Sequence, residues 1–194
     1  MKISASFRDP SGFLFTREGN LFRQVNKVYQ PHYDKLLTFG LYKKLMDKDL
    51  LISHKETKEK PVEASLSYKV IQPEKVAFIS YPYEWSFSQY KDAALATLEI
   101  EKLAMEDGMT LKDASVYNIQ FHQGKPVLID TLSFEIYTEG QPWVAYRQFC
   151  QHFLAPLALM ALVDIRLEQL MRVFIDGIPL DLASQLLPGK THFN

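Results

Sequence analysis

Three polar side chains stand at a spacing that could support metal-assisted chemistry on phosphate: Asp113, Asn118 five residues later, and Asp130 twelve residues after that. Asn118 opens one short apolar run, residues 117–121, and Asp130 closes a second, residues 126–129. A tight connection through His122, Gln123, Gly124 and Lys125 predicts that the two runs fold back as a hairpin. Such a hairpin brings Asn118 and Asp130 together at one rim, with Asp113 facing them from the preceding loop. Carboxylate and amide oxygens are the donors that a hard Mg²⁺ ion prefers, and the ion commonly keeps waters and phosphate oxygens as further ligands. On this reading Asn118 and Asp130 hold the metal, and Asp113 orients an acceptor hydroxyl and takes its proton. Taken singly, each residue is also an ordinary backbone cap for a turn or strand end. Lys112 reads as a solvated side chain, and Ser133 and Glu135 as supporting contacts just past Asp130.

The pattern Asp-x4-Asn, apolar strand, glycine-containing turn, apolar strand, Asp resembles the catalytic and metal-binding loops of protein kinases and aminoglycoside-phosphotransferase-like enzymes. With the later stretch 142–149 included, residues 111–135 look like the kinase-like N-terminal region of some bacterial class I SAM-dependent methyltransferases. The resemblance implies an α+β, protein-kinase-like two-lobe fold with a reduced β-rich N-lobe and a helical C-lobe. It also implies ATP and Mg²⁺ as ligands, and a methyltransferase domain outside this chain as the user of SAM. The departures are specific. Leu111 stands where kinases carry His or Tyr, Thr131 and Leu132 follow Asp130, and no G-x-G-x-x-G occurs. A β3-type lysine is not recognisable, which leaves Arg23 as the nearest cation for the phosphates. No glutamate lies in the helix after Pro31 to pair with it, and Asp34 is the available acid.

The elements that must position these groups are legible in outline. Residues 12–26 read as a hairpin turning at Glu18, Gly19 and Asn20. Pro31 opens a helical pattern through Tyr33, Leu36, Leu37, Leu41 and Leu45, which Gly40 weakens without forbidding. Residues 55–61 read as a charged, solvated turn, and residues 76–80 as a short apolar strand. The aromatic stretch 81–85 is the expected hinge between an N-lobe of residues 1–82 and a C-lobe of residues 83–194. In a kinase-like fold such a hinge supplies backbone bonds to adenine. Ser86 and Gln89 form a capping box opening a helix over residues 87–107, which Gly108 stops. From about Trp143 to Leu187 the pattern is helical and apolar, with breaks at Pro156 and at residues 176–179.

Composition narrows the partners. The 194 residues are 47% apolar with a net charge of −1, so the chain has the makings of a core and lacks the basic field expected of a nucleic-acid or anionic-membrane binder. The apolar run 154–163 is too short for a bilayer, which needs about 20 such residues, and reads as a buried core helix. The lone Cys150 reads as a buried thiol, and the five histidines, His32, His54, His122, His152 and His192, show no metal-ligand spacing. The opening residues lack the apolar stretch of a signal peptide. The expectation is a cytoplasmic protein, a piece of a longer chain, with a small-molecule or glycan substrate. Two functions follow: ATP–Mg²⁺ phosphotransfer to a hydroxyl, or a non-catalytic, pseudokinase-like module serving an attached methyltransferase domain. A third, an interaction domain without nucleotide, requires a cleft filled by side chains.

Overall fold

The computed structural model describes residues 2, 3 and 9–192, so the opening stretch read for a signal and the final residues 193–194 lie wholly or partly outside the described residues. The chain is α+β. Its main sheet is antiparallel, with strands β1 (Gly12–Arg17), β2 (Asn20–Asn26), β3 (His54–Thr57) and β4 (Ser67–Pro73) in the order β1-β2-β4-β3. Glu18 and Gly19, both at positive φ, close the β1–β2 hairpin as a two-residue turn pairing Arg17 with Asn20. One sheet face buries Phe13, Phe15, Phe22 and Val70; the other packs Val25 and Ile71 against Tyr29, Tyr33 and Leu132.

The helical pattern after Pro31 is interrupted. It forms α1 (Gln30–Thr38) and α2 (Leu41–Asp47), because Gly40 takes a left-handed conformation at φ 86° and turns the chain between them. Two strand assignments also change. Residues 54–57, of which 55–57 read as part of an exposed turn, form the edge strand β3 against β4. Residues 76–80 are not a strand: Phe78 and Ile79 are exposed, and Ser80 has its backbone N–H and C=O bonded at 3.0 Å each by the side chain of Gln120. An amide side chain thus takes the place of a neighbouring strand there.

The capping box of Ser86 and Gln89 opens α3 (Phe87–Glu106) as expected. Beyond it, β5 (Met109–Leu111) pairs with β8 (Phe134–Ile136), and β6 (Ile119–His122) pairs with β7 (Lys125–Leu128). Gln123 and Gly124, both at positive φ, form the expected tight turn. Further helix follows in α4 (Tyr146–Phe149), a π turn (Cys150–Leu154), α5 (Ala155–Leu162) and α6 (Leu180–Leu186). Pro156 does not break this run, since the wider π turn ahead of it accommodates a residue that has no N–H to donate. Cys150 is buried, as expected of a structural thiol. Helix α5 buries Ala155, Pro156, Leu159 and Met160, but Leu154, Leu162 and Val163 around it are exposed. Among the described residues no helix is long and apolar enough to cross a membrane.

The largest buried cluster joins Leu36, Leu41, Leu45 and Leu51 to Tyr90, Ile100, Leu111, Phe134, Phe153 and Leu159. Helices α1 and α2 therefore share a core with α3 and the C-terminal helices. The β6–β7 hairpin is tied to the segment before β3 by Ile52 N–H to Leu128 O at 2.8 Å and Leu128 N–H to Leu50 O at 2.9 Å.

Candidate functional site

A cavity of about 610 Å³ opens between the main sheet and the β5–β8 region, and Asp113, Asn118, Asp130 and Arg23 all line it. Their convergence has local causes. Lys112 N–H bonds Ser133 O at 2.8 Å, continuing the β5–β8 ladder and setting the loop that carries Asp113 beside the stretch that follows Asp130. Ile129 N–H bonds Asn118 O at 2.8 Å, so the hairpin rim holds Asn118 opposite Asp130. Asn118 and Tyr117 belong to a short 3-10 turn, and the strand begins one residue later than Asn118.

Arg23 projects from β2, where it pairs across the sheet with Leu14 and Ile71. Its guanidinium meets Asp130 through two contacts, Nη1 to Oδ1 at 2.6 Å and Nη2 to Oδ2 at 3.2 Å. The two side chains are 9% and 20% exposed, which makes this a largely desolvated pair rather than a surface one. Arg23 Nε is buried with no hydrogen-bond partner among the described residues. Asp130 Oδ1 also accepts Leu132 N–H at 2.8 Å, so both of its oxygens are engaged. Asp34 is not the acid that faces Arg23, because its carboxylate accepts from Tyr68 Oη at 2.7 Å and from Gln30 Nε2 at 3.4 Å.

Asp113 Oδ1 accepts Ser115 N–H at 3.0 Å and Gln148 Nε2 at 2.8 Å, and nothing among the described residues donates to Oδ2. Asn118 Nδ2 reaches Ser133 Oγ at 3.4 Å. Ser133 lines the cavity, whereas Glu135 faces a separate depression with Thr110 and Ile136. Lys112 is not simply a solvated side chain. It borders the cavity, donates to Ser11 Oγ at 2.6 Å, lies 3.4 Å from Asp9 Oδ1 and sits 5.1 Å from the centre of the Tyr29 ring. Burial pushes the Tyr29 phenol far above its ordinary range, and the nearby Asp130 charge adds to this. Its hydroxyl donates to Phe134 O at 2.7 Å.

Behind the loop, the buried Glu101 of α3 accepts Leu111 N–H at 2.7 Å and the Thr110 hydroxyl at 2.7 Å. Burial raises its carboxyl above the usual range, and the two hydrogen bonds oppose that rise. Trp143 Nε1 donates to Leu111 O at 2.8 Å, completing a clamp on the residue two before Asp113. Buried His152 is held below the ordinary imidazole range by desolvation, against the pull of Asp113 and Asp176. Asp9 is unmarked by sequence patterning, Lys112 reads there as solvated, and Gln148 falls within the stretch 142–149 with no role assigned; all three line the cavity. Gln148 lies 35 residues from Asp113 and carries no motif of its own.

Among the described residues no three His, Cys, Asp or Glu side chains converge to hold a metal. The stretch 81–85 does not line the cavity. Tyr81 stacks on Tyr83, and Trp85 packs edge-on against Tyr90 and Phe121.

The site is thus a polar cleft in which three carboxylates, two amides and two cations face one another beneath a small sheet. No family model matches the chain. Over 181 residues, 92% of its length, it is 32% identical to nodulation protein NoeA of Rhizobium meliloti (strain 1021), and it spans 37% of that protein's length.

Proposed function

We propose that the cavity binds ATP with Mg²⁺ and passes the terminal phosphoryl group to a hydroxyl of a small molecule or glycan. The observation that carries this reading is the meeting of Asp113, Asn118, Asp130 and Arg23 on one cavity of about 610 Å³. That size falls within the roughly 300–1,000 Å³ of small-molecule sites. The donor set fits a magnesium ion that arrives with its phosphates. Asp130 and the Asn118 amide oxygen are hard ligands but too few to cage an ion alone, and Mg²⁺ ordinarily keeps water and phosphate oxygens. When bound, the ion would neutralise charge on the phosphate oxygens. Arg23 lies on Asp130 and would turn part of its fork to phosphate. Asp113 Oδ2, free of protein donors among the described residues, would take the acceptor's proton. The acceptor oxygen bonds to the terminal phosphorus as the bond from that phosphorus to its bridging oxygen breaks, leaving the diphosphate.

A second reading, the pseudokinase-like module, draws on two observations. Gln120 occupies the N–H and C=O of Ser80, next to the stretch expected to bind adenine, and both oxygens of Asp130 are already engaged. The span of 37% of NoeA is compatible with a part working for a longer chain. In that case the cavity would hold a ligand or substrate for an attached methyltransferase domain, and SAM would bind only there.

Thermal stabilisation separates the two. ATP and a non-hydrolysable analogue are titrated with and without Mg²⁺ against wild type and Asp130→Asn. Ligand at 100 times its dissociation constant adds about 2.7 kcal/mol. A Mg²⁺-dependent shift that Asp130→Asn abolishes supports the nucleotide site. No shift at millimolar nucleotide sinks the phosphotransferase reading and leaves the module.

A further inference from the structure

We propose that Gln148 is the positioning residue of Asp113, holding its carboxylate so that Oδ2 alone is presented to the acceptor. The inference rests on the phosphotransfer reading of the cavity and names how its base is aimed. Both ends of the Gln148 amide are used at once. Nε2 donates to Asp113 Oδ1 at 2.8 Å, and Oε1 accepts the N–H of Ala114 at 2.7 Å. The backbone bond fixes which end of the amide is which, because only oxygen can accept from Ala114. The nitrogen is therefore committed to the carboxylate.

With Ser115 N–H at 3.0 Å as a second donor, Oδ1 is held by two partners in different directions. A carboxylate fixed at one oxygen in this way cannot rotate about its terminal bond without losing both donors. The other oxygen then keeps one orientation on the cavity, which is what a base needs for an oriented transfer. The support is itself anchored. Gln148 sits in α4, followed by the buried Phe149, while Trp143, just before that helix, donates to Leu111 O at 2.8 Å. The same segment thus grips the loop on both sides of Lys112. A glutamate at 148 would set an acceptor and a like charge against Oδ1, so an amide suits this position in a way a carboxylate does not.

The test uses the full chain with magnesium–ATP as the probe and water as acceptor, reading ADP release and thermal stabilisation together. In Gln148→Leu and Gln148→Glu, kcat is expected to fall roughly 10- to 100-fold, while KM for magnesium–ATP and its stabilisation of the protein stay at wild-type values. Adding Gln148→Leu to Asp113→Asn is expected to cost nothing further, since the amide acts through the carboxylate. Should Gln148→Leu melt well below wild type, Gln148→Asn, one methylene short of Asp113, carries the comparison. Wild-type kcat in these variants overturns the inference, as does a rise in KM that accounts for the loss, or a loss that adds in full to that of Asp113→Asn. A wild-type protein that magnesium–ATP stabilises but that releases no ADP overturns it too, leaving the nucleotide site intact. Absence of stabilisation in the wild type instead removes the underlying reading, and this inference with it.

Discussion

The two walls of the cavity are held by different forces. The wall bearing Asp113, Asn118 and Asp130 is tied through its main chain. Leu111 is clamped by Glu101 and Trp143, Lys112 N–H bonds Ser133 O, and Ile129 N–H bonds Asn118 O. The sheet wall, with Arg23 and the segment 9–11, meets it through side-chain charges: Arg23 on Asp130, and Lys112 on Ser11 and Asp9. Leu132, packed with Val25, Tyr29 and Ile71, adds an apolar tie at that seam, and the Tyr29 hydroxyl adds its bond to Phe134 O. Backbone bonds fix the acidic wall before any ligand arrives, whereas charge pairs can be exchanged for ligand charges. The acidic wall is the pre-set half of the site and the sheet wall the adjustable half.

The sharpest way to break this contrast is at the shared ion pair. Asp130→Ala leaves the Arg23 guanidinium buried without a counter-charge, and the expected loss is about 3–5 kcal/mol in chemical denaturation. Adding Arg23→Met removes the orphaned charge and should restore much of that loss. A single variant that costs under about 1 kcal/mol would mean the pair does not hold the walls together. Next in size is the point where the backbones come closest. A Cβ on Gly12 would collide with Gln24 O and lie 2.9 Å from Leu132 Cδ1, one contact with the sheet and one with the acidic wall. Gly12→Ala must therefore push the sheet's first strand outward, at about 1–3 kcal/mol. Because the strain falls on the seam, the melting temperature and any magnesium–ATP stabilisation should drop together.

The difference between the walls also explains what was legible in sequence. Asp113, Asn118 and Asp130 lie within eighteen residues, and a hairpin with a glycine turn leaves few ways to arrange them. The β1–β2 turn and the α3 capping box are likewise local, and local chemistry is what patterning detects. The ties between distant segments escaped it. Strands β5 and β8 pair over only three residues each, too short for an alternation to register. Gln148 acts across 35 residues with an unmarked side chain. By sequence Gly40 is a weak point in one helix, but its left-handed conformation makes two. Residues 76–80 have the apolar composition of a strand without a partner strand, and composition alone cannot supply one.

The smallest expected effect concerns acid, and it acts on the sheet side. His54 of β3 lies 3.1 Å from Tyr33 Oη of α1 through Nε2, and its main chain bonds the Tyr42 hydroxyl of α2. Its Nδ1 is buried with no partner among the described residues. Burial lowers its pKa from 6.5 to about 4, with Glu56 opposing the shift. The unfolded chain therefore takes up a proton below pH 6.5 that the folded protein refuses until near pH 4, so stability falls as pH drops through that window and levels out beneath it. From pH 7 to pH 5 the expected contribution is about 1–2 kcal/mol. The burial-lowered His152 and His32 act in the same direction. His54→Asn cannot take up the proton, so its denaturation midpoint should vary less between pH 7 and pH 5 than that of the wild type, even if it is lower throughout. An unchanged pH dependence in His54→Asn would place the acid sensitivity at the other histidines, among them His152 behind Asp113, and so on the acidic wall instead of the sheet.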